Sequence, residues 1–280
     1  VLDFDNNIEY TITRTENFTP FDILCDHTGT MYIASLNEGF YTIDPELKSL
    51  QKVSNVNSNK PWRLFEDSNN NLWLGFTNQL RVLDKDRKEL KTLSKIADIE
   101  INSIVWDVTE DHTGNLWLNY PYPFATNNTT YPRVLRLSLK ENTVKVLDPE
   151  NGYNIVGTEM EEDNDGNFWI LGTKEAFILS ENLENHKTIA LNSTLQGSLK
   201  IPRPLRRNDG SLWIATTDNG ILITTNYTLK TEYFDDTRGL INEQIWEIEE
   251  DYNGDIWLGT AAGINIINLN NNSIKALSFE

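Results

Sequence analysis

The sequence from Leu240 to Asn268 reads LINEQIWEIEEDYNGDIWLGTAAGINIIN. Before its DYNG segment, Trp246 and Ile248 alternate with glutamates, which is the period-two pattern of a β-strand. Asp, Asn and Gly tolerate the backbone conformations of tight hairpin turns, and the apolar segment Ile-Trp-Leu follows the turn. The stretch therefore predicts a β-hairpin, with a further strand beginning at Gly263.

The same pattern recurs along the 280 residues. Its turn glycine position is occupied by Gly29, Asn70, Gly114, Gly166, Gly210 and Gly254, which gives spacings of 41, 44, 52, 44 and 44 residues. After each hairpin, a third and a fourth strand are predicted, as at 263–269 and 273–277. Four short antiparallel strands in about 44 residues make one blade of a β-propeller. We predict an all-β fold, with one β-propeller domain over residues 1–280 that contains six full repeats.

One aromatic position recurs in every copy of the repeat. A single four-stranded sheet cannot bury both of its faces, whereas a sheet stacked between two neighbours can. We therefore predict that these aromatic side chains pack between blades and are structural: Tyr32, Trp73, Trp117, Trp169, Trp213 and Trp257.

The first 19 residues resemble half a blade. Residues 1–5 and 8–13 are similar to the third and fourth strands of the last repeat. Either this half belongs to a seventh blade whose inner strands are missing or supplied elsewhere, or it folds across one edge of a six-bladed ring. We favour the seven-bladed design. Because the chain opens with Val1, we expect a processed product or a domain excised from a larger chain.

Composition excludes several classes of function. The formal net charge of −18 opposes binding to nucleic acids and to anionic membrane surfaces. No apolar stretch approaches the 18 residues that would indicate a membrane-spanning helix, so we predict no membrane insertion. With Cys25 as the only cysteine, neither an intrachain disulfide nor a cysteine-ligated metal cluster can form.

The charged motifs of the repeat predict structure rather than chemistry. Paired acids such as Glu66-Asp67 precede the turn in four copies alike, whereas catalytic carboxylates normally stand in different environments. We expect these acids to accept hydrogen bonds from the turn backbone. The turns also lack the twelfth-position glutamate of a calcium loop. His27, His112 and His186 have no partner that would complete a catalytic or metal site, so we predict no catalytic residue, no metal and no cofactor.

Candidate ligand-binding residues lie where the copies differ. After Trp117 the third copy contains the segment NYPYPFATNNTTYPR, so its connection to the third strand is about nine residues longer than in the other copies. In a propeller this loop shares one face with the starts of the inner strands, which would bring together aromatic, amide and guanidinium groups suited to a sugar ring. The candidates are Trp62, Trp106, Tyr120, Tyr122, Phe124, Tyr131, Arg203, Gln244 and Trp246. Alternatively, the three tryptophans only fill gaps between blades, and the loop contacts a neighbouring domain.

The stretch from Leu240 to Asn268, with its acid pair, Asn/Asp/Gly turn, Leu-Gly-Thr and following Gly-Ile, resembles the two-component regulator propeller repeat. That family's repeats occur in the extracytoplasmic sensor portion of bacterial hybrid two-component proteins. The resemblance extends over essentially the whole chain, although Tyr32 replaces the tryptophan in repeat one and Arg206-Arg207 replace the acids in repeat five. It implies a periplasmic sensing module, joined to a second propeller, an immunoglobulin-like domain, a membrane helix and a histidine kinase, and responding to glycans.

Three functions follow as hypotheses. We prefer a non-enzymatic sensor module with an oligosaccharide ligand, which contacts a neighbouring propeller or immunoglobulin-like domain of the same chain. A propeller enzyme, such as a lyase or glycan-cleaving protein, is the second hypothesis, since some lyase propellers carry a similar repeat. The third is a scaffold that presents its faces to another propeller or to a homodimer mate.

Overall fold

The computed structural model of this protein describes 2–3, 8–9, 20–35, 38–44, 49–53, 61–96, 99–101, 104–120, 133–155, 157, 159–172, 175–190, 203–216, 220–225, 228–230, 239–251 and 253–278. These residues form β-strands, turns and one short 3-10 helix, Pro149–Asn151. None of the helices in the described ranges has the length and apolar character needed to cross a membrane. The chain divides into two compact units, residues 1–146 and 147–280.

The first unit begins with a two-stranded sheet of β1 (Leu2–Asp3) and β2 (Ile8–Glu9), followed by three four-stranded antiparallel sheets, here called blades 1 to 3. Blade 1 contains β3 (Pro20–Cys25), β4 (Met31–Ser35), β5 (Gly39–Asp44) and β6 (Ser49–Lys52). Blade 2 contains β7 (Arg63–Glu66), β8 (Leu72–Gly75), β9 (Leu80–Leu83) and β10 (Glu89–Leu93). A second small sheet pairs β11 (Lys95–Ile96) with β12 (Ile99–Glu100). Blade 3 contains β13 (Asp107–Glu110), β14 (Asn115–Tyr120), β15 (Arg133–Ser138) and β16 (Thr143–Leu147).

The second unit contains three further sheets of the same kind, blades 4 to 6. Blade 4 contains β17 (Glu159–Glu162), β18 (Phe168–Leu171), β19 (Glu175–Leu179) and β20 (His186–Ala190). Blade 5 contains β21 (Arg203–Arg206), β22 (Leu212–Ala215), β23 (Ile221–Thr225) and β24 (Thr228–Lys230). Blade 6 contains β25 (Ile245–Glu250), β26 (Ile256–Thr260), β27 (Gly263–Asn268) and β28 (Ser273–Ser278). The predicted third and fourth strands of this last blade are confirmed to within one residue.

The described residues thus form six four-stranded sheets, one for each predicted full repeat. The N-terminal hairpin that we predicted is present, with Leu2 paired to Glu9 and Asp3 paired to Ile8. It is a two-stranded sheet, so the four-stranded sheets within the described ranges number six and correspond to the six-bladed alternative.

The turn after the first strand of each blade is organised by an aspartate. In blade 2, Asp67 Oδ1 accepts hydrogen bonds from the backbone N–H groups of Asn69 (3.0 Å) and Asn71 (2.8 Å). Its second oxygen, Oδ2, accepts one from the indole Nε1 of Trp73 at 2.8 Å. Asn70 supplies the positive φ of 64° that the glycines supply in the other turns. The aspartate therefore links the turn to the aromatic residue of the next strand.

Between consecutive blades of a unit, the repeat aromatics are buried in apolar clusters. In the first unit, Tyr32 packs with Leu64 and Leu72 of blade 2, and Trp73 packs with Val108 and other residues of blade 3. The second unit repeats the arrangement: Trp169 packs with residues of blade 5, and Trp213 with residues of blade 6. Trp117 is 1% exposed. In blades 1, 2, 4 and 5 the aromatic is therefore buried against the next blade of the same unit, as a structural role requires, whereas Trp257 of blade 6 is half-buried.

In blades 1 and 5 the repeat aromatic has partners other than the turn aspartate alone. In blade 1 the hydroxyl of Tyr32 accepts a hydrogen bond from Arg87 Nε at 3.0 Å, and Arg87 Nη2 also donates to Asp26 Oδ2 at 2.5 Å. In blade 5, Arg207 replaces the aspartate and lies over the Trp213 ring, while the indole donates to Ser211 Oγ at 3.0 Å. An arginine therefore contacts the repeat aromatic in both blades in which the Asp–Trp pair is interrupted.

The turn aspartates should make the stability of the protein dependent on acid. Burial raises the pKa of Asp111, but hydrogen bonds from Thr113, Trp117 and Asn115 outweigh this and lower it from 3.8 to about 2. A carboxyl group with a lowered pKa in the folded state stabilises the fold above its unfolded-state pKa, and this contribution disappears as pH falls through the folded value. We expect Asp111 to contribute about 2 kcal/mol at neutral pH, which is lost between about pH 4 and pH 2.

Chemical denaturation of Asp111→Asn across this pH range measures the contribution. The variant should be less stable at pH 7 and should lose less stability on acidification than the unaltered protein. Trp117→Phe removes only the indole donor and keeps the turn bonds, so its loss on acidification should lie between those of the other two. Equal acid dependence in all three proteins would contradict this role of Asp111.

Candidate functional site

Of the three tryptophans predicted at the starts of the inner strands, Trp246 occupies a β-bulge. In blade 6, Ile245 pairs with Thr260 and Glu247 pairs with Gly259, so Trp246 is the extra residue between them. A bulge reverses the inward and outward alternation and redirects one side chain. Trp246 is 50% exposed, whereas Ile245 and Ile248 are buried. The alternative in which Trp246 shares the buried face of Ile248 and only fills a gap between blades is therefore wrong for this residue.

Blade 1 has a bulge at the same position, and blades 2 and 3 have a related backbone hydrogen bond there. Phe21 lies between Pro20 and Asp22, where the register of β3 shifts. The backbone N–H of Trp62 donates to the carbonyl of Gly75 at 2.7 Å, and Gly75 also pairs with Arg63. The backbone N–H of Trp106 donates to the carbonyl of Asn119 at 3.0 Å, and Asn119 also pairs with Asp107. These aromatics stand eight residues before the turn glycine position of their repeats. We predicted the tryptophans as ligand-binding candidates but not Phe21, although this fixed spacing would have located it.

Three aromatic rings of the first unit meet at this position, and we call them the aromatic cluster: Phe21, Trp62 and Trp106. The ring of Phe21 packs edge-on against Trp62, with centroids 5.3 Å apart, and against Trp106 at 6.1 Å. Phe21 is 39% exposed and the two tryptophans are half-buried. The indole of Trp62 also donates to Thr77 Oγ1 at 3.2 Å, which orients the ring. The cluster therefore offers partly exposed aromatic surface in a defined orientation.

A charged layer lies one residue further along the same three strands. Arg63 Nη2 is 3.0 Å from Asp107 Oδ1, and Arg63 Nη1 is 3.9 Å from Asp22 Oδ1. Asp22 also accepts a hydrogen bond from the backbone N–H of Leu64 at 2.7 Å. Asp22, Arg63 and Asp107 form the first charge triad, in which one guanidinium joins carboxylates of the two flanking blades. With two acids and one base, the triad is net negative.

A glycine permits the close approach of blade 3 to this layer. A Cβ on Gly75 would lie 3.2 Å from both the Cβ and the carbonyl oxygen of Val105, and 3.4 Å from Cβ of Arg63. Any larger residue would push the segment before Trp106 away from blade 2. Gly75 therefore sets the distance between the second and third members of the aromatic cluster.

The second unit repeats the charged layer with glutamates. Arg203 Nη1 lies 2.6 Å from Glu159 Oε1, and Arg203 Nε lies 3.7 Å from Glu247 Oε2. Arg203 also donates to the backbone oxygen of Trp246 at 3.3 Å. Glu159, Arg203 and Glu247 form the second charge triad. Gln244 lies just before β25 and is exposed.

Of the aromatic residues predicted on the long loop of the third repeat, the structure describes Tyr120. Tyr120, at the end of β14, is 9% exposed and belongs to the apolar cluster between blades 2 and 3. Burial raises the pKa of its hydroxyl. Tyr120 therefore packs in the core and does not project beside the strand starts, which corrects our expectation. Tyr122, Phe124 and Tyr131 lie outside the described residues.

The two acids of each pair accept hydrogen bonds from two different turns. The second acid binds its own turn, as Asp67 does, which confirms the expected role. The first acid binds the turn of the preceding blade: Glu66 Oε2 accepts from the backbone N–H of His27 at 2.7 Å, and Glu110 Oε2 accepts from that of Ser68 at 2.6 Å. In blade 5 the charge is reversed, and Arg206 Nη1 lies 3.3 Å from Glu162 Oε2 of blade 4. These acids therefore connect neighbouring blades.

One cluster has the composition of a metal site. Asp26, His27 and Glu66 offer ligand atoms within 4.8 Å of one another. Arg87 Nη2 lies 2.5 Å from Asp26 Oδ2 and 2.6 Å from Glu66 Oε1. Burial raises the pKa of Asp26, but hydrogen bonds from Arg87 and the turn outweigh it and hold that pKa below its usual range. The guanidinium thus occupies the position that a cation would take between the two carboxylates.

Removing the arginine of the first charge triad should destabilise the protein. In Arg63→Met, the buried Asp107 loses its ion pair, and breaking such a pair is costly because a charge stays buried. Since 26% of the Arg63 side chain is exposed, we expect a loss of about 2–3 kcal/mol, at the low end for a buried pair. Urea denaturation measures it, with Lys145→Met, an exposed cation on β16, as the control. A loss no larger than that of the control would contradict a stabilising triad.

Comparison with known proteins gives one family match and several structural likenesses. Residues 239–262 match the family described as two component regulator propeller, which confirms the resemblance of Leu240–Asn268. No curated protein matches the chain.

Solved structures similar to this chain include domains of bacterial proteins. The extracellular domain of the putative hybrid two component system BT3049 from B. thetaiotaomicron is 21% identical, with a TM-score of 0.74 over 94% of this chain and 34% of that chain. The corresponding domain of BT4673 is 17% identical, with a TM-score of 0.66 over 92% of this chain and 34% of that one. PorZ of Porphyromonas gingivalis, a surface component of the type-IX secretion system, is 15% identical, with a TM-score of 0.63 over 92% of this chain and 41% of that chain.

This chain therefore spans about a third of the length of the two B. thetaiotaomicron domains. At these identities the likenesses establish the fold. The chain has the β-propeller fold, and its residues 239–262 form a repeat of the two component regulator propeller type.

Proposed function

We propose that this chain is a non-catalytic sensor module from the periplasmic part of a hybrid two-component histidine kinase, and that it binds a glycan-derived ligand. The observation that carries the proposal is the aromatic cluster of Phe21, Trp62 and Trp106 directly beside the first charge triad. The family match at residues 239–262 and the likeness to extracellular domains of hybrid two component systems support the sensor role.

The chemistry of the cluster fits a sugar. The C–H face of a pyranose ring stacks on an aromatic ring, and its hydroxyl groups form directional hydrogen bonds with carboxylates and guanidinium groups. Phe21 and Trp62 supply aromatic surface, while Asp22 and Arg63, the next residues along the same strands, supply the polar groups. The negative triad and the net charge of −18 favour a neutral or cationic ligand over an anionic one.

The histidines of the described residues support a non-catalytic role. His27 Nδ1 is 2.8 Å from Glu66 Oε1. His27 lies in the turn that follows β3, whereas Phe21 lies at the start of that strand. His186 stacks on Phe177, with ring centroids 5.0 Å apart. These contacts are structural. His112 lies in the first turn of blade 3, at the end of β13 away from Trp106, so none of the three histidines lies beside the aromatic cluster. The enzyme hypothesis therefore has no histidine beside the cluster among the described residues, and the carboxylates there are held by Arg63.

Signal transmission would then depend on contacts beyond this module. We propose a neighbouring propeller or an immunoglobulin-like domain of the same protein as the partner, with a homodimer as the alternative. The coding sequence should continue into a membrane-spanning segment and a histidine kinase. Sequencing the gene on both sides tests this, and a gene without these parts would count against the sensor assignment.

Ligand binding can be measured by isothermal titration calorimetry with a panel of neutral oligosaccharides of glucose, xylose, mannose and galactose. We expect at least one to bind, and we expect Trp62→Ala and Trp106→Ala each to weaken it about tenfold, since each removes a stacking platform. The intrinsic tryptophan fluorescence should change on binding in the unaltered protein.

Leu90→Ala, which alters an exposed apolar side chain on the outermost strand of blade 2, is the matched control and should bind the sugar normally. The absence of binding by every oligosaccharide, or binding that neither tryptophan variant weakens, would contradict the proposed site.

A further inference from the structure

A groove separates the outer strands of blades 2 and 3, away from the aromatic cluster. Its volume is about 350 Å³, within the range of ligand pockets in proteins. It is bordered by β10 on one side and by the β15–β16 turn on the other. Asn71, which ends the first turn of blade 2, also borders it, so the groove lies towards the opposite end of β7 from Trp62.

The floor of the groove is apolar. It includes Trp73, Val82 and Leu137, which belong to the buried cluster between the two blades. Leu93 and Val144 pack against this cluster from the outer strands. The groove is therefore a place where the apolar core of the first unit reaches the surface.

Two exposed leucines stand at its edges. Leu90 is 59% exposed and Leu139 is 47% exposed, and they are among the few large apolar side chains with such exposure in the described ranges. Leu90 is the bulge residue of β10, because Glu89 pairs with Leu83 and Lys91 pairs with Val82. A bulge redirects one side chain out of the sheet, and here it keeps a leucine in solvent at the edge of an apolar groove.

The charge of the groove differs from that of the protein. Lys91 is its charged lining residue, and none of the described lining residues is acidic. The stretch 85–95, KDRKELKTLSK, contains five basic and two acidic residues. Arg87 is paired with Asp26 and Glu66, so the four lysines and the two acids leave a net +2 at this edge in a chain of −18. An acidic partner would therefore be attracted to this edge and repelled by most of the remaining surface.

We infer that this groove binds an extended, acidic, leucine-containing peptide segment of another protein or domain. β10 and β16 are the terminal strands of their sheets, so the groove is open to the outside along both strands. Apolar side chains of the peptide would contact Leu90, Leu139 and the Trp73 floor, and an acidic side chain would pair with Lys91. This contact is independent of the proposed sugar site.

The test is a selection from a random peptide library displayed on phage, with the full chain immobilised. Peptides that combine leucine or other apolar residues with aspartate or glutamate should be enriched. Measured by fluorescence anisotropy at low salt, a synthetic peptide of the enriched sequence should bind about tenfold more weakly to Lys91→Glu. The double variant Leu90→Ser, Leu139→Ser should lose binding, and both variants alter exposed side chains and should fold normally by circular dichroism.

Two controls separate this inference from the sugar site. Lys145→Glu reverses an exposed lysine on β16 that does not line the groove and should retain peptide binding. Trp62→Ala should also retain it, although it is expected to weaken sugar binding. Enrichment of peptides without acidic residues, no enrichment at all, or equal binding by Lys91→Glu would overturn the inference. Self-association of the chain that the double leucine variant abolishes would assign the groove to a second copy instead, and would also overturn it.

Discussion

In four of the six blades, an aspartate at the end of the first strand accepts a hydrogen bond from the indole of the tryptophan six residues later, at 2.8 to 3.0 Å. The same carboxylate accepts the backbone N–H groups of the turn between them. One side chain thus closes the hairpin and orients the ring that packs against the next blade. Because buried indole and turn N–H groups require partners, the carboxylate meets both requirements at once. The stacking of blades depends on this interaction.

The two exceptions show how the constraint is preserved when its residues change. In blade 1 the aromatic is Tyr32, and Arg87 from blade 2 donates both to its hydroxyl and to the Asp26 carboxylate. Where Arg207 replaces the aspartate, it lies over the Trp213 ring and pairs with Glu250 of blade 6, with Nη2 3.0 Å from Oε1. In both cases an arginine joins two blades. The unusual arginines of blade 5 are therefore compensations within the fold.

The candidate sugar site depends on a second aromatic position, at the start of the first strand of a blade, whose side chains stay partly exposed. Bulges at the starts of β3 and β25 turn Phe21 and Trp246 outward, and Trp62 and Trp106 occupy the same position. The scaffold then holds aromatic rings and a charge triad in adjacent layers while the turn aspartates hold the blades. A rigid support beneath a partly exposed polar and aromatic surface is what a binding site requires.

The sequence alone determined the blade. The recurring turn, its glycine position and the following aromatic predict six four-stranded sheets, since period-two alternation and turn chemistry are local properties. It could not determine where side chains point once a bulge intervenes. Alternation placed Trp246 with Ile248, and a single extra residue in the pairing reversed this. The loop composition suggested that Tyr120 projects outward, but packing between blades 2 and 3 buries it. The charge triads join residues about 44 positions apart, and the groove joins residues of two neighbouring repeats, so only tertiary structure brings them together.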